Sequence, residues 1–310
     1  MQAGNRFFSW ITAYTSFSPA FLRDMLFVEL LVQGLLQGSI YGLIAVGLTL
    51  VYGLLRILHV AHAGLFTLGG YICVILTNQT GSFLLAVLAS MLLVGITGML
   101  IYRICYQPIL DQPPFVPLIA SIGLFIAMEE LFRIFFGAYG LSFTELPLQE
   151  PLPFLQVSLK QAEWLTMLMS VGFVAILAFL ANRTKLGLAW KATVTDPDIA
   201  SSFGVDIIQV RYLNFFIGSS LAAASGCMMA VLNNLVEPTM GSVPSYKMLA
   251  IIVLGGLGNV RGTLIAAILL GIIESYGTIY LDDLLDRDSI AFVFLIIALM
   301  IRPQGLFQRR

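Results

Sequence analysis

Apolar residues along this chain gather into long runs separated by short polar breaks. The runs fall near 26–55, 64–77, 83–102, 115–136, 164–181, 207–232, 246–258, 263–281 and 289–301. A hydrocarbon core about 30 Å thick takes roughly 20 apolar residues per crossing helix, which most of these runs can supply. The first is too long for one upright helix, and the second, seventh and ninth are short. Short runs interrupted by glycine point to broken or half-spanning helices. The pattern predicts an all-α, polytopic transmembrane helix bundle of about eight to ten helices, short or broken ones included. Residues 1–25 read as an N-terminal extension and 26–310 as a single transmembrane domain.

The polar breaks orient the bundle. Arg183, Lys185, Lys191 and Arg211 surround one break, and Arg302, Arg309 and Arg310 close the chain. Basic residues stay on the cytoplasmic side, so both segments are expected there, with Arg103 and Arg261. The segment 137–163 carries Glu145, Glu150 and Glu163 among prolines, and Asp282 to Asp288 is acidic too. Both are expected on the opposite face. The predicted location is therefore a plasma (inner) membrane, crossed several times, with the loop 183–211 and the C-terminus cytoplasmic.

Composition agrees. Hydrophobic residues make up 59% of 310 and charged residues 11%, with a mean hydropathy of +0.94. Soluble domains carry roughly 25% charged residues, so this chain lacks the surface to stay dissolved. A net charge of −1 with no long basic run offers nothing to a nucleic acid. Cys73, Cys105 and Cys227 lie scattered in apolar runs and read as small core hydrophobes. The first 25 residues hold no compact apolar block ending in a small-residue cleavage site, so no removable signal peptide is expected. Gly34, Gly38 and Gly42, and Gly218, Ala222, Gly226 and Ala230, recur every four positions. Such stripes let helix backbones approach closely in lipid.

The break at 183–211 does more than connect. Thr195-Asp196-Pro197-Asp198 reads as a helix start, with Thr195 as cap and Asp198 at the third position. Proline is tolerated in a first turn, and Gly204 supplies a left-handed stop. Asp206, three before Gln209, is a second cap opening the next apolar helix. The expected element is a short surface helix from about Asp196 to Phe203, either a rigid knob that transmits a partner's movement or a plain amphipathic connector.

Asp198-Ile199-Ala200 followed by Gly204 resembles the E-A-A-x-x-x-G loop by which bacterial ABC-importer permeases dock their ATPase. It departs from that pattern in Asp for Glu and Ile for the first Ala, and it lacks the downstream I-x-L-P. Four further segments, Gly38 to Gly53, His59 to Tyr71, Leu254 to Gly262 and Arg302 to Phe307, are similar in sequence, order and spacing to the branched-chain amino-acid (LivH-type) permeases of those importers. The resemblance implies half of a membrane pore, carrying branched-chain or other neutral amino acids by alternating access. It also implies a second related permease, two ABC ATPase subunits and a periplasmic or lipid-anchored solute-binding protein as partners. Thr195, Asp196, Asp198, Ala200 and Gly204 would form the ATPase-coupling helix. His62-Ala63-Gly64 departs from the family's usual A-H-G-E or A-H-G-A sequence, so urea or short amides remain an alternative substrate.

No lysine closes a G-x-x-x-x-G-K-[ST] loop, so ATP hydrolysis is expected on separate subunits and no cofactor or catalytic residue on this one. Ionisable groups at membrane depth are functional suspects. Glu129 precedes Arg133 by four residues and either pairs with it or faces the path. Glu274 is isolated in its run and either lines the path or bonds a neighbouring helix. Gly255, Gly256 and Gly258 either expose backbone to a watery cavity or pack helices closely. His59 and His62 lack a third ligand nearby, so a helix-end hydrogen bond is expected rather than a metal. A stand-alone ion-coupled transporter, drawing on Glu274 and these glycines, is the competing function. An intramembrane peptidase fits poorly, since H-E-x-x-H is missing.

Overall fold

A computed structural model describes residues 19–154, 157–280, 286–301 and 305. The expectations on residues 1–18, on Asp282 and Asp283, and on Arg302, Arg309 and Arg310 fall outside the described residues, as does the Arg302–Phe307 motif apart from Gly305.

Each apolar run becomes a helix. They are α1 (Pro19–Leu55), α2 (His62–Thr80), α3 (Phe83–Ile101), α4 (Phe115–Phe136), α5 (Gln161–Arg183), α8 (Ile207–Asn233), α9 (Ser242–Gly255), α10 (Val260–Tyr280) and α11 (Arg287–Ile301). Between α5 and α8 lie two shorter helices, α6 (Lys185–Thr195) and α7 (Pro197–Ser202). α3 runs on through a π turn, Tyr102–Tyr106, and a 3-10 turn, Gln107–Ile109. A two-stranded antiparallel ribbon, β1 (Pro151–Phe154) with β2 (Val157–Lys160), precedes α5. Among the described residues six helices are long and apolar enough to cross a membrane: α1, α3, α4, α5, α8 and α10. The long first run is a single helix, whose apolar part covers 30 residues. At 1.5 Å per residue that is about 45 Å, more than an upright crossing needs.

α1 and α8 form the inner layer, and α5 the outer one: 83% and 78% of their most apolar windows are buried, against 17% for α5. Leu168, Val171, Ile176 and Phe179 of α5 stand exposed, as a lipid-facing surface requires. Small residues make the inner crossings possible. A methyl group on Gly34 would meet the Cα of Ile272 at 2.7 Å, and one on Gly38 the Cα of Ile268 at 2.8 Å, so α1 lies backbone to backbone on α10. Gly42 has more room, with Leu264 and Ala267 at 3.5 and 3.6 Å. The α8 stripe serves two neighbours. Gly218 lies on Gly47 of α1, while Gly226 abuts the Phe66 carbonyl of α2; Ala222 between them is fully buried.

Contacts between loops sort the bundle into two ends. At one, the Asn78 side chain bonds the backbone of Ser142 and Thr144, and Leu141 bridges Val236. This end carries Glu145, Glu150 and Glu237. At the other, His59 meets Tyr106, Tyr212 donates to Gln107, Gly53 approaches Gly258, and Gly305 rests on Val253 and Gly256. Arg56, Arg103, Lys185 and Arg261 belong to this basic end.

Candidate functional site

Three polar side chains from three helices meet inside the bundle. Glu274 of α10 is fully buried, Lys247 of α9 is 2% exposed and Tyr41 of α1 is 4% exposed. The Lys247 ammonium lies 2.9 Å from one carboxylate oxygen of Glu274, and the Tyr41 hydroxyl donates to the other at 2.9 Å. Lys247 also donates to the Tyr41 oxygen at 3.1 Å and sits 5.3 Å from the centre of its ring. The triangle is neutral overall. An unpaired carboxylate here would carry the full penalty of a buried charge, so each member makes the others tolerable. Of the two sequence readings of Glu274, it is the bond to neighbouring helices that the geometry displays. Lys247 escaped the sequence reading, although a lone lysine in the otherwise apolar 246–258 run was a signal open to it.

Near its start α9 is also tied to α4. Ser242 donates to Glu129 at 2.6 Å. Arg133 instead pairs with Glu130 at 3.1 Å, both exposed. The expected Glu129–Arg133 pair is corrected accordingly: the i,i+3 carboxylate takes the arginine and Glu129 turns toward α9. The other end of α9 stops at the glycine run. Gly256 and Gly258 have φ of 91° and 82°, a region that side chains rarely adopt. Gly255 packs against Gly262 and Thr263. The Gly256 N–H bonds Val253 and the Asn259 N–H bonds Gly256, so these groups are satisfied within the α9–α10 turn. At the acidic end, a polar cavity of about 240 Å³ is lined by Gln33, Gln37, Lys160, Glu163, Asn233 and Thr278. Gln37 and Thr278 stand four residues from Tyr41 and Glu274, one helical turn from the triangle.

The second constellation lies at the basic end. Thr184 caps α6 by accepting from the Gly187 N–H at 3.2 Å. α7 is capped by Asp196, whose carboxylate accepts from Ile199 at 3.0 Å. The expectation that Thr195 is the cap is corrected: its hydroxyl donates back to Lys191 within α6. Pro197 explains the shift. Proline fits the first helical position, which makes the residue before it the cap. Asp198 sits in the first turn, where a carboxylate suits the helix dipole. Ala200 is buried beneath it. Gly204, at φ 82°, ends the helix with open space around it. Asp206 then caps α8 by accepting from Gln209 at 3.0 Å. α7 is thus held between two capped helices and presents Ile199, 57% exposed, and Phe203, 86% exposed, on its outer side. In the sequence Ile199 stood out only as a departure from the docking-loop pattern and Phe203 only as the end of the short helix; their spacing of four was the available signal.

His59 and His62 are fully buried where α1 turns into α2. His59 Nδ1 lies 2.6 Å from the Tyr106 hydroxyl, tying that turn to the end of α3. No group of three metal-ligating side chains occurs among the described residues.

Residues 30–301 match a family described as branched-chain amino acid transport system, permease component. The chain is 28% identical to the high-affinity branched-chain amino acid transport system permease protein LivH of Escherichia coli K12, over 91% of this chain and 96% of that one. It is 27% identical, with the same coverage, to the permease BraD of Pseudomonas aeruginosa. It is also 25% identical to the permease LivM of Salmonella typhimurium, over 86% of this chain and 67% of that one.

Proposed function

The chain belongs to the branched-chain amino acid transport permease family, and from that premise we propose that it forms one half of a translocation path for branched-chain or other neutral amino acids. A second, related permease supplies the other half; similarity to both LivH and LivM supports such a pairing. Two separate ATPase subunits provide the energy, and a solute-binding protein delivers substrate to the acidic end. The basic end faces the cytoplasm, as the distribution of Arg and Lys favours.

The observation that carries this reading is α7. It is a six-residue helix, clamped by capped neighbours and exposing Ile199 and Phe203 to the outside. Two bare apolar side chains on a short rigid helix suit a knob that seats in a partner's groove. When ATP draws the two ATPases together, α7 moves with them. α8, joined to α7 through Gly204 to Asp206, then carries the motion into the bundle and alternates access. Glu274, on which an ion-coupled transporter would draw, is already neutralised by Lys247, which favours the ATP-driven reading. The test is co-purification of the tagged chain with its ATPase, for wild type and for Phe203→Asp. Loss of the ATPase from the variant, with the second permease retained, supports the docking role; equal recovery contradicts it.

A further inference from the structure

α4 carries an exposed ion pair at a depth where lipid would have to solvate it. Glu130 and Arg133 meet at 3.1 Å, and their side chains are 55% and 47% exposed. Their depth follows from α2, which runs beside α4 in the same direction, with Met128 against Gly64 and Phe136 stacked on Tyr71. Tyr71 stands nine residues short of Thr80, the end of α2. At 1.5 Å per residue, α4 therefore stops about 13 Å below that end. Hydrocarbon-facing surface begins at that end, since Leu84 and Leu85, just past the turn into α3, are already exposed. Arg133 and Glu130 lie three and six residues deeper than Phe136. The pair thus sits roughly 18–22 Å inside an apolar layer about 30 Å thick.

The rest of this face is apolar and open. Ile119, Ile122 and Ile126 are exposed beside the pair, away from the inward stripe of Ser121, Phe125 and Met128. Gly123 and Ala127, four apart and exposed, leave a shallow strip where a methyl group on Gly123 would touch nothing. That spacing admits the backbone of another helix in lipid. Space alone does not mark the face, because Gly172 of α5 is equally open. Charge does. From Trp164 to Leu180 α5 carries no ionisable residue, as suits a surface against hydrocarbon, whereas α4 presents a carboxylate and a guanidinium.

We infer that this face of α4 is the surface on which the second permease packs. Ionisable side chains inside spanning segments turn toward protein or a watery space, not toward acyl chains. A partner helix resting on Gly123 and Ala127 would cover the isoleucines and give Glu130 and Arg133 polar surroundings. The pair is neutral as a whole, so the partner needs hydrogen-bonding groups there rather than a net charge. Glu129, the neighbour of Glu130, bonds Ser242 at the start of α9. The contact therefore reaches the helix that holds Lys247, next to the place where a path between two permeases would run. The identity of the occupant rests on the transport reading above; that protein rather than lipid covers the face does not.

The test is photo-crosslinking of the full chain in its native membranes, with benzoylphenylalanine in place of Ile126 or, as a control, of Ile176 on α5. Position 126 is expected to capture a second permease chain, and position 176 no protein. Ala127→Trp, at an exposed position that leaves the fold of the single chain intact, is expected to lower co-purification of the second permease roughly tenfold or more. Val171→Trp on α5 is expected to leave it unchanged. Capture at position 126 of lipid alone, of another protein or of the same chain, or wild-type recovery by Ala127→Trp, overturns the inference. If a second permease co-purifies and these results fail, only this placement falls; if none co-purifies, the transport reading falls with it.

Discussion

The Lys247 ammonium and the Glu274 carboxylate meet at 2.9 Å, with neither side chain more than 2% exposed. They belong to α9 and α10, joined by the Gly255–Gly258 turn, and Tyr41 closes the triangle from α1. The pair therefore fastens a short helix to two long ones, α1 and α10, that lie backbone to backbone. Removing one member strands the other as a buried charge, which costs about 3–5 kcal/mol, whereas removing both leaves only a packing defect. Lys247→Met and Glu274→Gln are each expected to lower thermal stability in detergent sharply, and the double variant to recover much of the loss. Additive losses in the double variant would show that the two do not act as a pair.

The α1–α10 crossing predicts a second contrast. A methyl group on Gly38 meets the backbone of Ile268 at 2.8 Å, whereas one on Gly123 of α4 meets nothing within 4 Å. Gly38→Ala is expected to destabilise by about 1–3 kcal/mol through overpacking. Gly123→Ala is expected to be neutral or to stabilise by up to ~1 kcal/mol through helix propensity. Unfolding transitions of the two variants, measured side by side in the same detergent, check the difference.

Capping of α7 separates two adjacent residues. Asp196 holds the Ile199 N–H at 3.0 Å, while Thr195 bonds back into α6. Asp196→Ala should cost about 1 kcal/mol, concentrated in α7. Hydrogen exchange should accelerate across 197–203 in that variant and stay near wild type in Thr195→Val. The reverse order would restore Thr195 as the cap.

Much of this architecture is legible in the sequence, because hydrophobic length in a bilayer is a local property. All nine apolar runs became helices, and the Asp206 cap and the Gly204 stop stand where local rules put them. What escaped was long-range or finely balanced. Glu274 is flagged by its isolation, but Lys247 lies 27 positions away and only the α9–α10 turn brings them together. Glu129 finds its partner Ser242 at a separation of 113 residues. Thr195 and Asp196 are both good caps, and the decision fell to the φ constraint of Pro197. α6 was missed because Lys185 to Thr195 is neither a long apolar run nor strongly helical by composition.

The most direct measurement is uptake of labelled leucine into proteoliposomes holding the purified complex, its binding protein outside and ATP inside. Accumulation is expected only with internal ATP. Phe203→Asp is expected to abolish ATP-dependent uptake while the permease chains stay folded and paired. Leucine uptake driven by an ion gradient without ATP, or wild-type uptake by Phe203→Asp, would rule out ATP-driven transport coupled through α7.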